Sequence, residues 1–555
     1  MRESANRIRQ LVPHVRTEAD WQSVIRSGPG VVRNPDSPRR LATRLCLGLV
    51  MACLLGAPVA AQKAGSPRAT ANPGLAILTA RIDAHLAQPA FADAAWGVKV
   101  VSLDTGKTLY THNADKLFVP ASTAKLYTAA LALDALGPDY RIPTTLFATG
   151  KPGRDGELRG DLVLVGYGDP TLGFDTRVSW ADTLAIALRK SGVRSVRGAL
   201  IGDATWFAAP LYGSGWEAAD LQSWFGAPVS ALSVDENVVR VVVRPAPQPG
   251  GKARIAFDPP GSAPDLDNEL RTLRAPARTD ISLYRAPGGN SLHAFGSIAS
   301  DAEIQYFRLA VQDPALVAVE QLRAALARQG VSVQGKSRSL YWPERNTALG
   351  GHQLQRVADV WSPTVADIVN RGLKVSQNLY MQNLLLMVGA KAAADERAAG
   401  VESPVFVSTE TRGIQALRNY LRRIGVPLEG VLIEDGPGLS RRDLTSPAAL
   451  TALLVRLGDN PDARAFRLAL PEAGVDGSLT GRMRNSAAQG RIHAKTGSMA
   501  FTYALAGYAR TAADERLAFA FMLNNYRRPV DAGRPTAELD AIAVMLAELS
   551  ERSPN

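Results

Sequence analysis

Pro120-Ala121-Ser122-Thr123-Ala124-Lys125 runs straight into Leu126-Tyr127-Thr128-Ala129-Ala130-Leu131-Ala132-Leu133-Asp134-Ala135-Leu136, and Gly137-Pro138 follows. This stretch decides the reading of the chain. It is an S-x-x-K tetrapeptide at the start of an apolar helix, and Gly and Pro stop that helix. Upstream, residues 97–102 alternate as a strand, Asp104-Thr105-Gly106 turns, and Leu109-Tyr110-Thr111 returns. A hairpin feeding a helix that opens on Ser and Lys is a local fold with a chemical content.

On a helix, positions i and i+3 share a face, so Lys125 can lie beside the Ser122 hydroxyl. A serine hydroxyl is a poor nucleophile without a base, and a lysine serves as one when its surroundings favour the neutral amine. Desolvation and nearby positive charge both do so. Two further short patterns occur in order, Ser376-Gln377-Asn378 and Lys495-Thr496-Gly497. Lys495 is a candidate for the second positive charge. Its triplet precedes an antiparallel pattern, 503–510 and 517–523, where an edge strand is wanted. The N–H of Ser122 at a helix start and that of Ser498 are candidate oxyanion donors.

Outward from these motifs, the texture changes twice. From about 140 to 350, short strand patterns alternate with Gly/Pro-rich turns, and aromatics cluster between Trp206 and Trp224. Three αβ units carry glycine stops, Gly192, Gly330 and Gly425, each followed by a strand after Gly198, Gly335 and Gly430. From about 360 the chain is helix-rich again. A final amphipathic helix is expected over 537–551; its Glu538, Asp540, Glu548 and Glu551 do not suit an anionic membrane surface.

The first sixty residues read as an export leader: Arg39, Arg40 and Arg44, an apolar run from Leu45 to Ala57, then Val59-Ala60-Ala61. The run is 13 residues, short of the roughly 20 that span a bilayer, so cleavage near Ala61 is expected rather than a kept anchor. Ser37-Pro38-Arg39-Arg40-Leu41 loosely resembles a twin-arginine signal, and Met51 fits a lipoprotein signal at Cys53 poorly. Both cysteines, Cys46 and Cys53, fall in this leader, so the remaining chain has no thiol nucleophile, disulfide or sulfur metal ligand. Positions 1–61 hold 9 of the 63 basic and 4 of the 52 acidic residues, so the remainder carries a net charge of +6. No basic run or zinc-ligand spacing calls for nucleic acid, and no metal or cofactor is implied. Of the five histidines beyond the leader, none sits in a metal-binding pair. His493, two residues before Lys495, is assigned a structural role, and Glu434-Asp435 a turn role in a Gly-rich loop.

The ordered set S-x-x-K, S-x-N, K-T-G is the signature of penicillin-binding proteins and related serine β-lactamases. The chain resembles the class C low-molecular-mass penicillin-binding proteins, the D-alanyl-D-alanine carboxypeptidase/endopeptidase family, over nearly all of its length beyond the leader. Gly168-Asp169-Pro170-Thr171-Leu172, Asp435–Arg441 and Gly474–Leu479 share in that resemblance. It implies an α/β (α+β) fold: a transpeptidase/β-lactamase-like domain, an antiparallel sheet flanked by helices, with two inserted smaller domains. The 254 residues from Ser122 to Ser376 leave room for them. The expected division is a signal peptide 1–61, the first part of the transpeptidase-like domain 62–145, inserted domains 146–355 (approximately 167–247 nested within the rest), and the second part 356–550.

The resemblance also implies roles. Ser122 attacks the penultimate D-alanine carbonyl and Lys125 takes its proton. Ser376 relays a proton to the leaving D-alanine, while Asn378 holds the substrate amide. Lys495, Thr496, Gly497 and Ser498 form the strand that binds the terminal carboxylate region. Gln377 departs from many relatives but points away from the S-x-N pair. The implied partners are peptidoglycan stem peptides, with β-lactams as covalent inhibitors, and the implied location is the periplasm. A serine β-lactamase and a non-catalytic wall-binding relative are the alternatives; the long insertion speaks against the first and the intact motifs against the second.

Overall fold

The structure is a computed structural model that describes residues 73–174, 179–344, 354–401, 405–527 and 533–554. The leader assigned to 1–61, and most of the lead-in that follows it, lie outside the described residues.

Five antiparallel strands form the main sheet, in the order Thr108–His112, Ala95–Ser102, Arg516–Asn524, Thr502–Arg510, Ile492–Met499. The two ends of the chain meet in it, with Val98 opposite Phe521. Alternation along the strands splits the core in two. Leu505, Phe519 and Phe521 face the helices Pro73–Leu86 and Ala537–Ala547, against Ile82, Ile542 and Leu546. Ala504, Ala506, Ala518 and Ala520 face the other way, into the core shared with the helices Lys125–Leu136 and Pro447–Gly458. Small residues on that face let the helices approach closely, while each large side chain buried opposite contributes roughly 1.5–3 kcal/mol. The K-T-G strand Ile492–Met499 is an edge strand, as its sequence position predicts.

The 254-residue excursion leaves and returns through neighbouring strands. Arg141–Ala148, just after Gly137-Pro138, pairs antiparallel with Gln355–Thr364, placing Thr144 opposite Val360. These two strands and Leu162–Gly166, Leu200–Asp203 and Ser337–Leu340 build a mixed sheet. The helices Trp180–Lys190 and Pro314–Arg328 pack on it, capped by the Ser179 and Asp313 side chains. Between them, seven strands from Val238 to Ala310 enclose a separate small core around Val241, Leu283, Leu292, Ile298 and Phe307. All three αβ units form, and Gly192, Gly330 and Gly425 adopt φ of +94°, +71° and +72°.

One boundary differs from expectation. The last helix ends at Ala547 rather than 551. Beyond it, Glu548 pairs with Arg81 (2.7 Å) and Glu551 accepts from the Gly74 N–H (3.0 Å). These acids tie the C-terminus to the N-terminal helix instead of extending their own. Among the described residues, no helix is long and apolar enough to cross a membrane.

Candidate active site

Ser122 lies in a 3₁₀ turn, Ala121–Ala124, that winds directly into the helix Lys125–Leu136. Ala121 has φ +47° and Ser376 φ +59°, a left-handed conformation that costs a non-glycine residue roughly 1–2 kcal/mol. Two elements hold the first turn in place. Gly497 on the edge strand approaches so closely that a Cβ there would stand 2.7 Å from the Pro120 carbonyl oxygen, and one on Gly438 would stand 2.2 Å from that of Ala121. Glycine at 497 and 438 is therefore a packing requirement.

The three motifs converge. Lys125 is fully buried (0 % exposed), and its Nζ lies 2.8 Å from Ser122 Oγ, 2.6 Å from Asn378 Oδ1 and 2.7 Å from the Pro437 carbonyl oxygen. Two of these neighbours are carbonyl oxygens, which only accept. A neutral amine has two N–H bonds and one lone pair. Its two hydrogens match Asn378 and Pro437, so its lone pair is left facing the Ser122 hydroxyl. Burial pushes the Lys125 ammonium down to about 7, against the upward pull of Asp435 and Asp443. At neutral pH, the free amine is thus a substantial species.

Ser376 sits between the helices Val365–Lys374 and Asn378–Ala398. Its Oγ is 2.9 Å from Lys495 Nζ. Lys495 is also fully buried, donates to the Thr496 carbonyl oxygen (2.8 Å), and is held well below the usual lysine range by burial and by the charges of Lys125 and Arg482. Thr496 Oγ1 donates to Ser478 Oγ (2.8 Å), while Ser498 is exposed on the same strand. Gln377 is buried at the helix start, and its N–H donates to Gly372 (3.0 Å). His493 has Glu472, Lys374, Asp476 and Arg510 as its charged neighbours, none of them a motif residue.

Several residues of this site escaped the sequence reading. Asp435 makes a turn, as expected, but a wholly buried one. Its carboxylate accepts from the N–H groups of Gly438 (2.7 Å), Leu439 (2.9 Å) and Ser440 (2.8 Å) and from Trp216 Nε1 (2.8 Å). That loop is what aims the Pro437 carbonyl at Lys125. Asp443 accepts from the Glu434 N–H (2.7 Å), and burial together with Asp435 pushes its carboxyl well up. From the stretch between the first two motifs, the Phe225 carbonyl accepts from Asn378 Nδ2 (2.8 Å). Asp435 and Ser478 lie in the two Gly-rich segments Asp435–Arg441 and Gly474–Leu479, and Trp216 and Phe225 lie in or beside the aromatic cluster.

Such a sheet, with S-x-x-K at its helix and K-T-G on its edge, defines a serine enzyme of the transpeptidase-like class. The model of the D-Ala-D-Ala carboxypeptidase 3 (S13) family matches residues 78–549, and the chain belongs to that family. It is 34% identical over 526 residues to a D-alanyl-D-alanine carboxypeptidase of Actinomadura sp., covering 92% of this chain and 90% of the relative. It is 26% identical over 432 residues to D-alanyl-D-alanine carboxypeptidase DacB of Haemophilus influenzae, covering 77% and 84%. In fold, it is similar to the crystal structure of penicillin binding protein 4 (dacB) from Haemophilus influenzae, with a TM-score of 0.71 at 24% identity over 83% of this chain and 97% of that one.

Proposed function

We propose that this chain is a serine-type D-alanyl-D-alanine carboxypeptidase that trims peptidoglycan stem peptides in the periplasm through an acyl-enzyme on Ser122. One observation carries the reading: the two hydrogens of a neutral Lys125 amine are matched to Asn378 and Pro437, and its lone pair faces Ser122 Oγ.

Ser122 Oγ adds to the carbonyl carbon of the penultimate D-alanine, and its proton goes to Lys125 Nζ. The N–H groups of Ser122 and Ser498 receive the developing oxyanion. The C–N bond then breaks. Ser376 passes a proton to the leaving amine, and Lys495 resupplies Ser376. Thr496, Ser498 and Lys495 hold the terminal carboxylate; an arriving anion favours the charged form of Lys495, which burial alone disfavours. Asn378 holds the substrate amide, and Gly497 keeps the strand against the nucleophile's turn. Lys125 passes the proton it took on to the neutral Lys495, which frees its lone pair. Water then adds to the ester carbonyl with Lys125 as the base, and that proton goes to Ser122 Oγ as the ester C–O bond breaks.

The names of the relatives support the substrate. A further structure of the Haemophilus influenzae protein, with a TM-score of 0.65, is complexed with a novel β-lactam; it supports β-lactams as acylating mimics of the same peptide. The division into a cleaved leader 1–61, a split transpeptidase-like domain and inserted domains over 146–355 belongs to this reading. So does a second activity. An acyl-enzyme formed from a cross-linked stem releases another stem instead of D-alanine, which is DD-endopeptidase action.

Labelled penicillin tests the core of the proposal. The wild type is expected to form a covalent adduct and release D-alanine from a stem pentapeptide, and Ser122→Ala to do neither. A wild type that takes no label, or an alanine variant that takes it equally, refutes the assignment. Mass analysis of digested cell walls separates loss of terminal D-alanine from loss of cross-linked dimers.

A further inference from the structure

Three residues in succession, Asp235-Glu236-Asn237, take left-handed φ of +50°, +56° and +56° without a glycine among them. L-residues visit that region singly, and a run of them is costly. The run persists because it is held from several sides. The Asp235 N–H donates to Leu172 (2.9 Å), and its carboxylate accepts from Gln321 Nε2 (2.6 Å). The Asn237 side chain accepts the Val234 N–H (3.0 Å) and donates to the Pro228 carbonyl (2.8 Å). Strain kept in this way clusters where function needs a group held in one place.

The group held here is the buried carboxylate of Glu236. Its Oε2 accepts from Arg308 Nη2 (2.7 Å), on the strand Gln305–Ala310. Its Oε1 accepts from Arg371 Nη2 (2.7 Å) and from the Tyr380 hydroxyl (3.1 Å), and Arg371 Nε donates to that same hydroxyl (3.0 Å). Arg371 stands in the last turn of the helix Val365–Lys374 and Tyr380 in the first turn of Asn378–Ala398. Ser376 lies between those two helices. One carboxylate oxygen therefore gathers a side chain from each side of the Ser376 turn. Within the turn, Ser376 is itself left-handed, and the Gln377 N–H bonds back to Gly372 (3.0 Å).

We propose that Glu236 is a positioning residue for the proton relay: its carboxylate clamps the two helices across the turn and keeps Ser376 Oγ 2.9 Å from Lys495 Nζ. It acts through Arg371 and Tyr380 rather than on the substrate. A shift of about 1 Å would carry the two relay atoms beyond hydrogen-bond reach, and misplacement on that scale can cost about a hundredfold in rate. The inference rests on the peptidase reading above, in which Ser376 protonates the leaving amine.

The test is the rate of Ser122 acylation in single turnovers, on a stem pentapeptide and on a thioester of the same acyl group. The amine of the peptide needs a proton to leave, whereas a thiolate leaves without one. Glu236→Gln is expected to slow the peptide about tenfold or more and the thioester by less than about twofold. In a Ser376→Ala background the same substitution should cost the peptide less than about twofold, because the clamp then has no hydroxyl to place. Tyr380→Phe removes a single hydroxyl from the clamp. It should show the same pattern at about three- to fivefold, and it decides the matter if Glu236→Gln does not fold. Equal slowing of both substrates, as a merely structural ion pair would give, overturns the proposal. So does a peptide loss that persists without the Ser376 hydroxyl, or no loss at all. A wild type that takes no penicillin refutes the peptidase reading instead. Hydrogen exchange then decides the clamp: the Gln377 amide should exchange about tenfold faster or more in Glu236→Gln, and an unchanged rate overturns it.

Discussion

Lys125 and Lys495 are both wholly buried, and each lies beside a serine hydroxyl, yet their surroundings differ. Lys125 has the buried Asp435–Asp443 pair behind it, which limits its fall to about 7. Among the described residues, the charges acting on Lys495 are those of Lys125 and Arg482, and it falls well below the usual range. Burial by itself does not set a lysine's role. The first is tuned to exchange a proton near neutrality. The second waits for an anion to restore its charge. One is a base by virtue of its carboxyl neighbours, and the other a carboxylate receptor by virtue of lacking them.

That contrast can be broken most sharply at the lysines themselves. Lys125→Ala should slow acylation by labelled penicillin about a thousandfold, within the range of general base catalysis. Lys495→Ala should cost about a hundredfold, chiefly as poorer binding of carboxylate-bearing substrates. If Lys495→Ala costs the more, the two roles are exchanged. The pH profile gives the next largest effect. Below its pKa, Lys125 is protonated and can no longer take the Ser122 proton, so kcat/KM should fall about tenfold per pH unit below about 7. This limb should persist in Lys495→Ala; its disappearance there would assign it to the other lysine.

Smaller effects separate the two acids behind Lys125. Asp435→Asn puts an amide N–H₂ among four N–H donors that all need an acceptor, and it removes the charge that sustains Lys125. Acylation should slow at least tenfold, and unfolding in urea should come earlier by about 1–3 kcal/mol of stability. The smallest effect belongs to Asp443→Asn. Asp443 Oδ1 accepts the Glu434 N–H, and an asparagine keeps that acceptor. Acylation rate and acid limb should therefore stay within about twofold of the wild type. A large loss at Asp443 would mean that its carboxyl, as well as that of Asp435, sustains Lys125.

Much of this was legible in the chain itself. The helix after Ser122 and the edge position of Lys495-Thr496-Gly497 follow from local pattern, because apolar period, turn residues and strand alternation are properties of short windows. The glycine stops at 192, 330 and 425 could be read for the same reason. Pro437, Phe225 and the Asp435 cage could not. Each acts through a backbone carbonyl or a set of N–H groups, and those atoms are common to every residue type. The end of the last helix was misjudged because Glu548 and Glu551 fit a helical face but are drawn off by Arg81 and Gly74, more than 460 residues away in sequence. Asp169 stands in a motif of the sequence, but its burial and its two hydrogen bonds from Thr171 appear only in the fold.

The contact from Asn378 Nδ2 to the Phe225 carbonyl reaches beyond catalysis. A segment inserted into an enzyme begins as a passenger that can be lost again without penalty. Once its backbone supplies the acceptor that orients an asparagine of the active centre, deletion leaves a buried donor stranded. The stretch that carries Phe225 is then tied to the chemistry. Attempts to shorten this enzyme to its five-stranded body would have to rebuild that one carbonyl first.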